Sequence, residues 1–79
     1  MSPKLPAVSS DEVVSVLTKI GFRLKRQAGS SHAIYFRDSD RKRTTVPIHS
    51  GKILKRKTLR SILVDAGLTV SEFSSLLKG

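Results

Sequence analysis

The fold is constrained most by three short β-favouring segments, 22–27, 32–37 and 43–48, that follow one another in the middle of the sequence. Short connections containing the turn-forming residues 28–31 and 38–40 link them. Connections of this length join antiparallel strands, because a parallel pair needs a crossover of about a dozen residues or more. The sequence therefore predicts a three-stranded antiparallel meander.

Helices are predicted on both sides of these strands. A capping box at Ser9–Glu12, followed by an apolar stripe at helical spacing, predicts a first helix over residues 10–20. A second helix is predicted to take Thr58 as its N-cap and to end at Gly67, and a capping box at Thr69–Glu72 opens a short final helix. The predicted class is α+β in the order αβββα with an extra C-terminal helix. The helices must cover one face of the sheet and leave the other to solvent.

Residues 9–79 are expected to form a single domain, because a chain of 79 residues can build only one small core. Residues 1–8 contain two prolines and no hydrophobic periodicity, so we expect them to form a flexible leader. In the second strand, Phe36 is assigned to the core. Tyr35 is left open between a core position and stacking on a nucleic-acid base.

Positive charge is concentrated in the centre of the sequence. Residues 23–60 hold twelve of the fifteen Lys and Arg and two of the six acidic residues, so they carry a net +10 while the whole chain carries +9. Such a surface favours a polyanionic partner, normally nucleic acid and less often an anionic membrane or an acidic protein. A solubilising surface without a partner is the remaining interpretation.

Several classes of protein and site are disfavoured by what the sequence lacks. There is no cysteine, which excludes disulfides and thiolate metal sites, and two histidines with six scattered acids disfavour structural zinc. The first residues lack the apolar region of a signal peptide, and no apolar run is long enough for a membrane span. A cytoplasmic location without membrane attachment is therefore expected.

Several short motifs occur in a specific order over roughly residues 12–77. They are Phe22, Arg26-Gln27, Gly29-Ser30-Ser31-His32, Val46-Pro47-Ile48-His49, Lys52, Leu54-Lys55, Thr58-Leu59-Arg60-Ser61-Ile62-Leu63, Ala66-Gly67-Leu68 and Glu72-Phe73. Together they resemble the HicA family of toxins. The resemblance implies a double-stranded-RNA-binding-like fold and cleavage of messenger RNA without a metal or another cofactor. It also implies a HicB-type antitoxin as the partner that masks the active site, and it makes His32 the catalytic residue.

The sequence departs from the common family pattern in three places. Two serines instead of one precede His32, Lys57 stands where a glycine is usual, and the turn at 38–40 has no glycine. The extra serine matters most, because a shift of one residue moves a strand side chain to the other face of its sheet. The orientation of His32 is thus a question for the structure.

The chemistry of imidazole also supports a catalytic role for His32, independently of the family resemblance. Metal-free RNA cleavage needs a base for the 2′-hydroxyl and an acid for the departing 5′-oxygen, and an imidazole can act as either near neutral pH. The alternative is a histidine at a strand edge that hydrogen-bonds its own turn.

The expected phosphate-binding residues surround His32 in the sequence and continue into the second helix. Glycine permits a close approach of backbone to phosphate, serine hydroxyls donate to phosphate oxygens, and cations stabilise the transition state. The basic run 52–57 leads to a helix start, which favours anions, although a solvated loop is the alternative. The expected set is Lys25, Arg26, Gly29, Ser30, Ser31, Lys52, Lys55, Lys57 and Thr58.

Three other titratable residues are less decisive. His49 is either a second proton-transfer group or a residue that shapes its loop or contacts substrate, and the second interpretation is favoured. Asp38 and Asp40 are two positions apart, as carboxylates in metal sites can be, but arginines and lysines flank them. We assign both to turn and ion-pair contacts.

The function predicted from these observations is a ribonuclease toxin of a type II toxin–antitoxin pair, acting on single-stranded messenger RNA. Attack by the 2′-hydroxyl predicts a 2′,3′-cyclic phosphate product. Two alternatives stay open: a non-catalytic RNA-binding module of the same fold, and an interaction protein whose basic face binds an acidic partner.

Overall fold

The computed structural model describes residues 4–29, 31–49 and 51–79. Its elements are α1 (Ser10–Lys19), β1 (Arg23–Ala28), β2 (His32–Arg37), β3 (Lys42–Pro47), α2 (Arg56–Ala66) and α3 (Val70–Lys78). This order confirms the predicted α+β class and the αβββα arrangement with an additional terminal helix. None of the helices in the described ranges is long and apolar enough to cross a membrane.

The three strands form one antiparallel sheet in the order β1-β2-β3, as the short connections predict. β2 and β3 pair continuously, so that His32 lies opposite Pro47. Between β1 and β2 the register shifts between Leu24 and Arg26, which leaves Lys25 as the extra residue of a β-bulge. The predicted bounds hold for β2 and move by one residue in β1 and β3.

Both predicted capping boxes are present. The Glu12 N–H donates to Ser9 Oγ at 3.3 Å, and the Glu12 carboxylate accepts from the Ser9 N–H at 3.0 Å. The same reciprocal pair joins Thr69 and Glu72 before α3, at 2.8 and 3.1 Å. These bonds satisfy amide groups that a helix start leaves without partners, so each helix begins directly after its cap residue.

The predicted start of the second helix at Thr58 is wrong. α2 begins at Arg56, after Lys55 as N-cap, and the Lys55 side chain makes no capping bond. Packing decides this start, because Leu54 before the cap and Leu59 after it are both buried in the core. The free energy gained by burying these two leucines outweighs the preference of threonine for the N-cap position. The predicted end at Gly67 is confirmed.

The inner face of the sheet packs against the helices. Ala33 of β2 and Val46 of β3 are 1% and 0% exposed, and β3 contacts both α1 and α2. Beside them, buried Thr44 donates to Asp65 of α2 at 3.0 Å. The core consists of Val8, Val13, Val16, Leu17, Phe22, Val46, Leu54, Leu59, Ile62, Leu63, Ala66 and Phe73.

Val8 belongs to this core, so the packed part of the chain begins at least one residue before the predicted domain boundary at residue 9. Residues 1–3 of the predicted leader lie outside the described residues.

The assignment of Phe36 to the core is wrong. Because Ala33 is buried and Tyr35 packs against the core, alternation places Phe36 on the opposite face, where it is half-buried. Burial also raises the pKa of the Tyr35 phenol. We call this opposite side the outer face of the sheet; it comprises His32, Ile34 and Phe36 of β2 with their partners Pro47, Thr45 and Arg43 of β3.

Arg37 joins the end of β2 to the end of α1. Its guanidinium donates to the Asp40 carboxylate at 3.0 and 2.8 Å and to the Ile20 carbonyl at 2.9 Å. It also lies 4.6 Å from the centroid of the Phe22 ring. The Arg37 side chain is 19% exposed, so these contacts are partly shielded from water.

Both aspartates of the β2–β3 turn make the ion pairs predicted for them. The hydrogen bonds from Arg37 hold the pKa of Asp40 below its ordinary value. Arg23 pairs with Asp38 at 3.1 Å and lowers the pKa of that carboxyl in the same way.

We expect Arg37→Lys to lower the free energy of unfolding by about 1–2 kcal/mol, because a lysine cannot contact Asp40 twice while also reaching the Ile20 carbonyl. The matched control is Arg60→Lys on the exposed side of α2, which should change that free energy by less than about 0.5 kcal/mol. Urea unfolding followed by circular dichroism measures both. Equal losses in the two variants contradict the role assigned to Arg37.

The Asp40 ion pair should also make stability depend on pH. The pKa of Asp40 is lower in the folded than in the unfolded protein, so its contribution is complete above the unfolded pKa. That contribution is lost as the pH falls through the folded pKa. We therefore expect the melting temperature to fall between about pH 5 and about pH 2, and to fall less in Asp40→Asn. Identical pH profiles for the two proteins count against this pair.

Candidate functional site

A cleft of about 490 Å³ opens where the outer face of the sheet meets the start of α2. The strands contribute His32, Thr45 and Pro47, the segment after β3 contributes His49, Lys52, Ile53, Leu54 and Lys55, and α2 contributes Thr58. Two imidazoles and two ammonium groups therefore share one concave surface. None of the described residues that line it is acidic.

The pairing of β2 with β3 holds His32 in the cleft. His32 lies opposite Pro47, and one residue farther the Ile48 N–H donates to the Ser31 carbonyl at 2.7 Å. Because Ala33 is buried, alternation directs His32 to the outer face, and its side chain is exposed there. The orientation question raised by the additional serine is thus answered: His32 faces the cleft.

The connection before His32 presents open backbone. Gly29 has φ +67°, a conformation that favours glycine, as its predicted role requires. Apart from its chain neighbours, no described residue has an atom within 4 Å of where a Cβ at Gly29 would lie, so the space at this position is open. Gly29 and Ser31 do not line the cleft. Ser30 lies outside the described residues.

The wall of the cleft opposite the sheet is the segment directly before α2. Leu54 is 8% exposed and packs in the core, and its N–H donates to the Val8 carbonyl at 2.9 Å. The residue before it forms an isolated β-bridge with Ser9. Leu54 thus anchors this segment, and Lys52 and Lys55 on either side of it are exposed and line the cleft.

The first turn of α2 also borders the cleft, through Lys55 and Thr58. The first intrahelical bond runs from the Leu59 N–H to the Lys55 carbonyl at 3.0 Å, so the helix itself does not use the earlier N–H groups. No acidic side chain occupies this turn. Unused N–H groups and the positive end of the helix dipole favour an anion here.

Besides Gly29 and Ser31, three more predicted phosphate-binding residues lie outside the cleft lining. The β-bulge brings Lys25 to the outer face, where its Nζ lies 4.7 Å from the centroid of the Phe36 ring. Arg26 follows on the same face, since it pairs with Ile34. Lys57 is exposed on α2 without contributing to the cleft.

The structure therefore brings together part of the predicted site and adds to it. From the predicted set, the cleft contains His32, Lys52, Lys55 and Thr58. His49, which the sequence analysis assigned to loop shaping or substrate contact, lines the same cleft. Sequence reasoning missed Thr45, Pro47, Ile53 and Leu54. The predicted three-residue turn at 38–40 would pair His32 with Val46, so the placement of Thr45 and Pro47 on the face of His32 depends on the observed register, which pairs Arg37 with Lys42.

The family model for the HicA toxin of bacterial toxin–antitoxin systems matches residues 10–68, three quarters of the chain. The chain belongs to the HicA toxin family. The matched range includes all the cleft-lining residues, and it confirms the resemblance read from the sequence. Membership makes the protein the toxin of a toxin–antitoxin pair, with an antitoxin as its partner. No curated protein sequence matches this HicA toxin significantly.

Proposed function

We propose that this HicA toxin is a metal-independent endoribonuclease that cleaves single-stranded messenger RNA in the cleft. The observation that carries the proposal is the shared cleft itself, in which the exposed His32 lies with Lys52, Lys55 and the start of α2. An imidazole for proton transfer and cations for a phosphate are the groups that such a reaction needs.

The charge of the cleft supports a phosphodiester as its ligand. Lys52 and Lys55 attract the nonbridging oxygens, and the Thr58 hydroxyl and the amide groups at the start of α2 can donate to them. Negative charge on the phosphate grows as the 2′-oxygen attacks. Fixed positive groups stabilise that charge more strongly in the transition state than in the bound substrate.

His32 acts in this proposal as general acid or general base. The 2′-oxygen forms a bond to phosphorus while the bond from phosphorus to the 5′-oxygen breaks. One proton leaves the 2′-hydroxyl and one reaches the 5′-oxygen, so the products are a 2′,3′-cyclic phosphate and a 5′-hydroxyl. The attacking oxygen belongs to the substrate, and the step consumes no water.

RNA outside the scissile linkage is assigned to the outer face and to the turn before His32. Lys25 and Arg26 extend the positive surface there, next to the half-buried Phe36. Gly29 leaves room for a phosphate beside the turn. The remaining members of the proposed phosphate-binding set are Ser30, Ser31 and Lys57. Contacts of this kind are largely independent of base sequence.

The proposed partner is a HicB-type antitoxin that covers the cleft, and the proposed location is the cytoplasm, where messenger RNA is translated. A positively charged cleft whose described lining residues include no acid is suited to an antitoxin that presents acidic groups to it.

We expect His32→Ala to lower the rate of cleavage of a single-stranded RNA by about 10²–10⁴-fold or more, because a proton-transfer group is lost. RNA binding should persist, since the cations of the cleft are unchanged. Gel analysis of cleavage and fluorescence anisotropy of binding measure the two quantities. Unchanged cleavage in this variant refutes the catalytic assignment, and a wild-type protein that binds RNA without cutting it favours the non-catalytic module.

We expect the lysines that line the cleft to contribute to the salt dependence of RNA binding. For a 2′-O-methyl RNA, which cannot be cleaved by 2′-hydroxyl attack, each phosphate contact contributes about −0.7 to the slope of log K against log salt concentration. Lys52→Gln and Lys55→Gln should each make the slope less negative by about that amount. Lys78→Gln at the end of α3 is the matched control, and an equal effect there argues against the cleft as the binding site.

A further inference from the structure

We propose that His49 is a second catalytic residue, and that His32 and His49 divide the two proton transfers of RNA cleavage between them. This inference rests on the proposed function. It gives His49, which has no role in a reaction with a single catalytic histidine, the second proton transfer. It reverses the interpretation of His49 favoured by the sequence.

The strand register places the two imidazoles on the same side of the sheet. His32 lies opposite Pro47, and the hydrogen bond from Ile48 to Ser31 continues the pairing by one residue. His49 is two positions beyond Pro47, so alternation gives both the same face. Both side chains are exposed and line the cleft, so a phosphate can lie between them.

The backbone at His49 is fixed from both sides. Before it, Ile48 packs against the core and donates to the Ser31 carbonyl at 2.7 Å. After it, the Lys52 N–H donates to the His49 carbonyl at 3.1 Å, and Gly51 at φ +73° allows the chain to turn. The imidazole is therefore presented to the cleft from an anchored backbone, as proton transfer to a bound substrate requires.

The chemistry needs two groups at two positions. In an in-line displacement the leaving 5′-oxygen lies on the side of phosphorus opposite the attacking 2′-oxygen, so one imidazole does not reach both. One histidine accepts the proton of the 2′-hydroxyl as the bond to phosphorus forms. The other, starting as an imidazolium, donates its proton to the 5′-oxygen as that bond breaks. Among the described residues, the charged groups that line the cleft with them are Lys52 and Lys55.

If the two histidines divide the proton transfers, the cleavage rate should have a bell-shaped pH profile with an acidic and a basic limb. One histidine must be neutral while the other is protonated. The test is the kcat and KM of a single-stranded oligoribonucleotide from pH 5 to pH 9 for the wild type, His32→Ala, His49→Gln and Lys52→Gln. We expect His49→Gln to lower kcat by about 10²–10⁴-fold and to remove one limb of the profile. Lys52→Gln should raise KM and also lower kcat, because the Lys52 charge stabilises the transition state, but it should keep both limbs.

Two further measurements separate catalysis from a structural effect. His49→Gln should keep the wild-type melting temperature and bind a 2′-O-methyl RNA nearly as well as the wild type. Free imidazole added to His49→Ala should restore part of the cleavage rate, which no loop-shaping role predicts.

The inference is overturned if His32→Ala is inactive while His49→Gln keeps the wild-type kcat and both limbs of the profile. In that case the proposed function stands with a single catalytic histidine. A wild-type protein that does not cleave RNA refutes the proposed function, and this inference fails with it.

Discussion

The burial of one face of the sheet against the helices determines on which side His32 and its strand neighbours in the site lie. Ala33 and Val46 are packed inside, so their neighbours His32 and Pro47 must lie outside. In the second wall, the burial of Leu54 anchors the segment that carries Lys52 and Lys55, and both lysines line the cleft. The active arrangement that we propose is thus a consequence of core packing, with no special backbone strain needed at His32.

The parts of the fold that local chemistry specifies could be predicted from the sequence. Both capping boxes, the end of α2 at Gly67 and the bounds of β2 follow from residues next to one another in the chain. The failures concern packing between distant residues. In β2, apolar side chains occur on both faces, so alternation alone could not show that Ala33, rather than the larger Phe36, is in the core. The start of α2 depends on Leu54 in the same way.

The sequence predicted the kinds of residue in the candidate site better than their positions relative to the cleft. The charge pattern and the family resemblance identified His32 and the lysines before α2. The sequence did not show that His49 shares their cleft, since this depends on the register of β2 with β3. Nor could it separate Lys52 and Lys55, which line the cleft, from Lys57, which lies close by in the chain and outside it. A β-bulge, set by the pairing of β1, brings Lys25 and Arg26 to the same face.

The most direct test of the central claim, that the cleft cuts RNA through 2′-hydroxyl attack, is end-group analysis of RNA incubated with the purified toxin in the presence of EDTA. We expect cleavage at an undiminished rate, with 2′,3′-cyclic phosphate on one fragment and 5′-hydroxyl on the other. A strict requirement for magnesium, or fragments with 5′-phosphate ends, contradicts it.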